Sequence, residues 1–223
     1  MRLRGWYSGL FTAGLLLFVL QGCMHAEPSG NTTTAIAQPT DKWAANRQAI
    51  HSAVALLHEG DVVLRTGNDM TSYMLSQLNP TDKTWSHCGI VLIENGYPFV
   101  YHSIGGEDNP DQKLLRDSAI VWATPVSNLG FGVLRYPLGD TTITRLKKVT
   151  RTMHAEHRMF DMDFDLATDD RLYCAEFVYK AMLQATTDSA FLAPVTMFGF
   201  NYFPVDRLLA PSTAHLVWQV RYK

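Results

Sequence analysis

An α+β domain built on a largely antiparallel sheet is the fold class that this sequence predicts, and two observations predict it. Apolar runs in "SHCGIVLIENGYPFVYHSIGG" flank Asn95-Gly96, the strongest short-range signal for a β-hairpin. Strand-like runs predominate early in the chain and helical patterns are interspersed among them, the order of an α+β domain with helices packed on the sheet.

Taken in order, "DKWAANRQAIHSAVALLHEG" places Trp43, Ile50, Val54 and Leu57 at helical spacing and ends on Gly60, which predicts a helix over 41–58 with a glycine stop. "DVVLRT" (61–66) is a short β-branched strand, and "DMTSYMLSQL" (69–78) is a short helix with Asp69 as N-cap. The polar "NPTDKT" breaks the chain before the hairpin. Further strands are predicted at 119–124, 131–136 and 214–222, and helices at 140–157 and 171–185. There is no internal repeat and no sign of a second domain, so residues 41–223 form one unit.

The chain has 223 residues, 47% of them hydrophobic, with a formal net charge of −2. That supplies one core and no electrostatic footprint for nucleic acid. Its first residues, "MRLRGWYSGLFTAGLLLFVLQGC", join a basic start (Arg2, Arg4) to an apolar stretch too short to span a bilayer, the pattern of a secretory leader. "LQGC" resembles a bacterial lipoprotein processing site, which implies removal of residues 1–22 and lipidation of Cys23. Met24 stands where an aspartate often signals inner-membrane retention. The resemblance therefore implies an anchor on the periplasmic side of the outer membrane, held by several acyl chains. Residues 23–40, small, polar and Pro-containing, read as a flexible tether.

Chemistry points to "DDRLYCAEFVYKAM" (169–182). With Asp169 or Asp170 capping a helix that starts near Arg171, Cys174 falls in the first turn, where the peptide dipole favours a thiolate. Cysteine catalysis also needs a base and a group that orients it. His87, at the start of a strand in "WSHCGIV", is the candidate base. If Asn95-Gly96 is a two-residue turn, Gly89 lies opposite His102, and His102 shares a face with His87, diagonally adjacent. His102 is then the candidate orienting group. Alternation sends Cys88 to the other face of the strand, where it is a packed thiol. A Cys88–Cys174 disulfide would require Cys88 to face the helix that His87 should face. Tyr173 and Ser86, adjoining the two principal residues, are candidate substrate contacts.

Other patterns carry less. Asp161, Asp163 and Asp165 have EF-hand spacing, but Leu166 replaces the glycine and Leu172 the glutamate that such a loop requires. His154 and His157 share a helix face without a third ligand at zinc-site spacing. The apolar stretch 193–210 either completes the core or lines an acyl-chain groove.

The order "GDVVLR", "WSHCGIV" with its hairpin, then "LYCAEFVYKA" resembles the YiiX-like permuted papain-like amidases, relatives of the NlpC-type cell-wall peptidases. The resemblance spans roughly residues 59–205. It implies a permuted papain-like fold with the histidine ahead of the cysteine, Cys174 as nucleophile and His87 as general base. The third polar residue of that family is often a glutamate, and here its place holds His102. Gly60-Asp61 recurs in the family, yet a helix stop followed by a strand start accounts for it.

The implied activity is a thiol hydrolase that forms a Cys174–His87 ion pair and cleaves an amide, plausibly in a cell-wall peptide, without a cofactor or metal. Lipid acyl hydrolysis or transfer on the same pair is the rival reaction. A binding lipoprotein that keeps the cleft for wall peptides is the rival of another class, sustained by the substitution at His102.

Overall fold

The computed structural model describes residues 41–223 apart from 42, 107 and 198. The leader, Cys23 and the tether lie outside the described residues. The elements run α1 (Ala44–Val54), β1 (Val62–Gly67), α2 (Met70–Gln77), β2 (His87–Glu94), β3 (Tyr97–His102), β4 (Leu115–Ser118) and α3 (Ala119–Trp122). They continue with β5 (Asn128–Arg135), α4 (Asp140–Ala155), α5 (Cys174–Thr186), β6 (Val195–Met197), β7 (Phe200–Tyr202), a 3-10 turn (Val205–Leu209) and β8 (His215–Arg221). Six strands form one sheet in the order β4-β3-β2-β1-β5-β8, each neighbouring pair antiparallel, and β6 and β7 form a separate ribbon.

Period-two alternation divides the sheet's two faces. Val62, Leu64, Ile90 and Leu92 pack with Leu146 and Met153 of α4 and Phe177, Val178 and Met182 of α5. Val63, Val91, Val100, Phe131 and Val133 pack with Ile50 and Ala53 of α1 and Trp122 of α3. Each such side chain contributes about 1.5–3 kcal/mol on burial, so the register that separates the two sets is strongly held. At the hairpin, Asn95 and Gly96 have φ of 50° and 82°, as a type I′ turn requires. The pairing from Glu94↔Tyr97 to Ile90↔Tyr101 follows from that turn.

The first helix ends earlier than expected, at Val54 with Ala55 as its C-cap; Gly60, with φ 84°, lies in the turn that follows it, and Asp61 is buried behind it. The Asp61 carboxylate accepts the His58 N–H at 2.7 Å and both Nε and Nη2 of Arg135, each at 2.7 Å. Asp61 thus ties the loop after α1 to the end of β5. Asp69 caps α2 as predicted, accepting the Ser72 N–H at 2.8 Å.

Two further expected elements are corrected. The strand predicted over 119–124 is instead the short helix α3, and the pairing with β3 is made by β4 just before it. Ile120 and Val121 are exposed while Ala119 and Trp122 are buried. That spacing suits one helical turn and not a strand. The helix expected from Arg171 begins at Cys174 with Tyr173 as N-cap. Residues 158–160 are threaded between two neighbours: Leu114 N–H donates to the Arg158 carbonyl, Phe160 N–H to Gln112 and Leu172 N–H to Met159. Those bonds hold Arg171 and Leu172 extended. Asp169 is engaged by Lys180 at 2.7 Å and caps nothing.

The stretch 193–210 supplies Tyr202, Phe203, Val205 and Leu208 to the core. Asp161, at the tempting acidic run, is buried and accepts the N–H groups of Asp163 and Asp165 at 2.9 and 2.7 Å, which makes it a turn former.

Candidate active site

Strand β2 opens on two residues that point apart. His87 turns to the α1/α3 face, where its ring stacks on Trp122 at 5.8 Å between centroids. Cys88 turns to the opposite face and packs in the same cluster as Cys174 and the rest of α5. The expectation that Cys88 points away from the helix is corrected here. Alternation does send His87 and Cys88 to opposite faces, but α5 lies against the face that Cys88 occupies. Both thiols are free.

Helix α5 is fixed at its start. The Glu176 carboxylate accepts the Tyr173 N–H at 3.1 Å and pairs with Lys180 at 3.0 Å. Burial pushes Glu176 up to about 7 against the pull of Lys180, and its bond to the Tyr173 N–H makes it part of the helix cap. Ser103, just beyond β3, donates its hydroxyl to the Leu172 carbonyl at 2.5 Å and brings the approach to α5 to the end of the hairpin.

Tyr173 and Ser86 do not line a site. Tyr173 is buried, stacks on Tyr202 and accepts the Phe203 N–H at 2.8 Å. Ser86 is buried and accepts the Gly67 N–H at 3.0 Å, tying β1 to the approach to β2. Both candidate substrate contacts are therefore corrected to packing and capping roles.

The histidines meet as the hairpin register predicts: His87 Nε2 lies 3.0 Å from His102 Nδ1. His102 Nε2 lies in turn 3.0 Å from Oδ2 of Asp117, on β4. Asp117 is the residue that the sequence did not disclose. Its segment "LRDS" carries neither alternation nor a motif. The chain of bonds assigns the protons. The Asp117 carboxylate is held below its usual range, first by the bond to His102, so it accepts and His102 Nε2 donates. His102 Nδ1 is then an acceptor and His87 Nε2 donates to it. His87 Nδ1 is left with a bare lone pair, the form of a general base.

Both imidazoles are held neutral. Burial lowers His87 well below the ordinary histidine value, and the Arg65 guanidinium and His102 lower it further. Burial also lowers His102, outweighing the bond to Asp117. Burial of His87 thus works against the expected thiolate–imidazolium pair and favours a neutral imidazole. Among the described residues no hydrogen bond joins it to Cys174.

The Cys174 thiol is nevertheless lowered. The Cys88 thiol is the largest favourable cause, followed by the backbone N–H groups of Ala175 and Cys88 and the charge of Arg65, against burial. Cys88 is pushed up by its own burial and by the same neighbour. The Cys88 N–H belongs to the peptide that joins it to His87, so the sulfur lies beside the strand end that carries the imidazole. Cys174 and His87 each keep 7% exposure, whereas His102 keeps 1% and Cys88 none. The two proposed reactants are the ones that reach solvent.

Arg65 completes the cluster. It sits directly across from His87 in the β1–β2 ladder and shares its face. Its guanidinium carbon lies 4.6 Å from the centroid of the Trp122 ring, and Nη1 donates to the Trp122 carbonyl at 2.9 Å. Its signal in the sequence was an arginine at a position of "DVVLR" that alternates with buried Val63. A cleft of about 580 Å³, lined among others by Thr66, Gly67, Asn68, Tyr73 and Leu129, opens one residue further along β1.

No family model matches this chain. No curated protein matches it either. Among solved structures it is similar to the crystal structure of the metalloprotein YiiX from Escherichia coli O157:H7, with a TM-score of 0.58 and 16% identity. The match covers 74% of this chain and 97% of that one. The word metalloprotein belongs to that neighbour. Among the described residues of this chain, no group of three His, Cys, Asp or Glu side chains is placed to hold a metal ion, so the described residues do not fit such a centre. At this identity the likeness extends to the fold: a mixed α+β domain of the YiiX kind, with its antiparallel sheet packed against helices.

Proposed function

We propose that this chain is a thiol hydrolase of the permuted papain-like, NlpC-related kind that cleaves an amide bond in a cell-wall peptide. We further propose that it works at the periplasmic side of the outer membrane, anchored through a lipidated Cys23. The observation that carries the reading is the chain Asp117–His102–His87, which leaves a bare Nδ1 on His87 at the strand end where the Cys174 sulfur lies.

In the proposed reaction His87 Nδ1 takes the Cys174 proton as the sulfur attacks the acyl carbonyl and the S–C bond forms. The first N–H groups of α5 have no partner within the helix and stabilise the oxyanion. The imidazolium, supported through His102 by Asp117, protonates the leaving amine as the C–N bond breaks. Water then attacks the thioester, returns a proton to His87 and frees the thiol. His102 acts through His87, which makes it a positioning residue in this scheme.

Burial of Tyr202, Phe203, Val205 and Leu208 in the core favours core completion over an acyl-chain groove for these residues of the 193–210 stretch. The test is incubation of the full chain with peptidoglycan fragments and with phospholipid vesicles, side by side. Turnover of the wall fragments that disappears in Cys174→Ala and His87→Ala, and survives within about tenfold in Cys88→Ala, is the expected result. Turnover retained by Cys174→Ala overturns the reading. Binding of wall fragments without turnover by the wild type turns it into a docking protein.

A further inference from the structure

Arg65 is a desolvated cation. Burial pulls its guanidinium down to about 10, and a desolvated charge is normally paired. Among the described residues no carboxylate lies within ion-pair distance of it. Asp117 acts on it most strongly among the charges around it, yet its Oδ2 is bonded to His102 at 3.0 Å. Arg65 makes one side-chain hydrogen bond, Nη1 to the Trp122 carbonyl, out of the five N–H groups a guanidinium offers. The Trp122 ring beneath it holds it in place. It therefore presents free donors, immobilised, across one ladder rung from His87.

We infer that Arg65 is a carboxylate-binding subsite beside Cys174, so that the acyl substrate carries a free carboxylate next to the scissile bond. The inference rests on the proposed attack by Cys174 and names the substrate's charged end. A guanidinium fork matches a planar carboxylate in a bidentate pair. A single cation with Asp117 close by favours a monoanion over a dianionic phosphate. For a peptide substrate this places the α-carboxylate, or a carboxylate on the adjoining residue, on the Arg65 side of the cleaved amide.

The test uses two alkylating agents that differ in charge, iodoacetate and iodoacetamide, with labelling of the full chain resolved at the Cys174 peptide. Both consume the same thiolate, so the ratio of their rates cancels any change in thiol ionisation that an Arg65 substitution causes. Arg65→Met is expected to lower the iodoacetate-to-iodoacetamide ratio about tenfold, the value of one charge-assisted hydrogen bond. Arg65→Lys, which keeps the charge and loses the fork, should lower it less. In the wild type, acetate should slow iodoacetamide labelling in a saturable way that inorganic phosphate does not match.

A ratio unchanged in Arg65→Met overturns the inference. Protection by phosphate and not by acetate overturns it too. Should Arg65→Met fail to fold, absence of acetate protection in the wild type overturns it equally. The hydrolase reading fails on a different readout, turnover by Cys174→Ala, so the two failures are distinguishable.

Discussion

The first two residues of β2 face different worlds. On one side His87 enters a polar line that ends at Asp117, which is 40% exposed at its side chain, with Arg65 and Trp122 as walls. On the other side Cys88 meets Cys174 in a cluster of apolar side chains. The polar face can hold a proton in a defined place because every ring nitrogen in the line except His87 Nδ1 has one partner. The thiol face can hold a negative charge because the helix start, a second thiol and Arg65 favour it there. Proton and charge are thus managed on opposite sides of a single strand, and they meet only at its end.

The largest effect should come from breaking the polar face at its far end. In Asp117→Asn the amide nitrogen can donate to His102 Nε2, which moves the His102 proton to Nδ1 and turns His87 Nε2 into an acceptor. His87 Nδ1 then carries a hydrogen and is no longer a base. Turnover should fall by about 10²–10⁴, the scale of a wrong tautomer or a lost general base. Iodoacetamide labelling of Cys174 should change little, since the thiol is governed from the other face. If labelling and turnover fall together, the two faces are not separate systems.

The polar face should also govern stability in acid. Both histidines have folded pKa values depressed by burial. Above the unfolded value of about 6.5 both states are neutral and nothing is lost. As pH falls below that value the unfolded chain binds protons that the folded chain refuses, so stability is lost progressively down to the depressed folded values. The slope approaches about 1.4 kcal/mol per pH unit for each imidazole. Urea unfolding at pH 7.5, 6.5 and 5.5 should show this fall, and His87→Gln should flatten it. An unchanged slope in His87→Gln would mean that His87 is protonated in the folded chain.

How much of this was legible in the sequence divides along the same strand. The hairpin and the meeting of His87 with His102 followed from Asn95-Gly96, because a two-residue turn with positive φ fixes register by itself. Asp117 did not follow, because its pairing with β3 depends on the loop from 103 to 114 and no local pattern fixes that register. The helix α5 starts three residues beyond Arg171, since the bridge through Met159 that holds Arg171 extended is a long-range contact. Alternation put His87 and Cys88 on opposite faces, but which face α5 would cover was a tertiary fact. In the sequence alone Cys88 therefore reads as a bystander.

The smallest effect sharpens the thiol face. The Cys88 thiol is the largest favourable influence on the Cys174 thiolate, so Cys88→Ala removes a donor and should raise the Cys174 pKa. One hydrogen bond to a charged group corresponds to a shift of about one unit. The pH profile of iodoacetamide labelling at Cys174 should move upward by that amount, and Cys88→Ser, which keeps an O–H donor, should leave it near the wild-type position. The residual lowering in Cys88→Ala then belongs to the Ala175 and Cys88 N–H groups and to Arg65, all of which the substitution spares. A profile that does not move would mean that the backbone and Arg65 suffice. Cys88 would then be a packing residue that lies beside the nucleophile without acting on it.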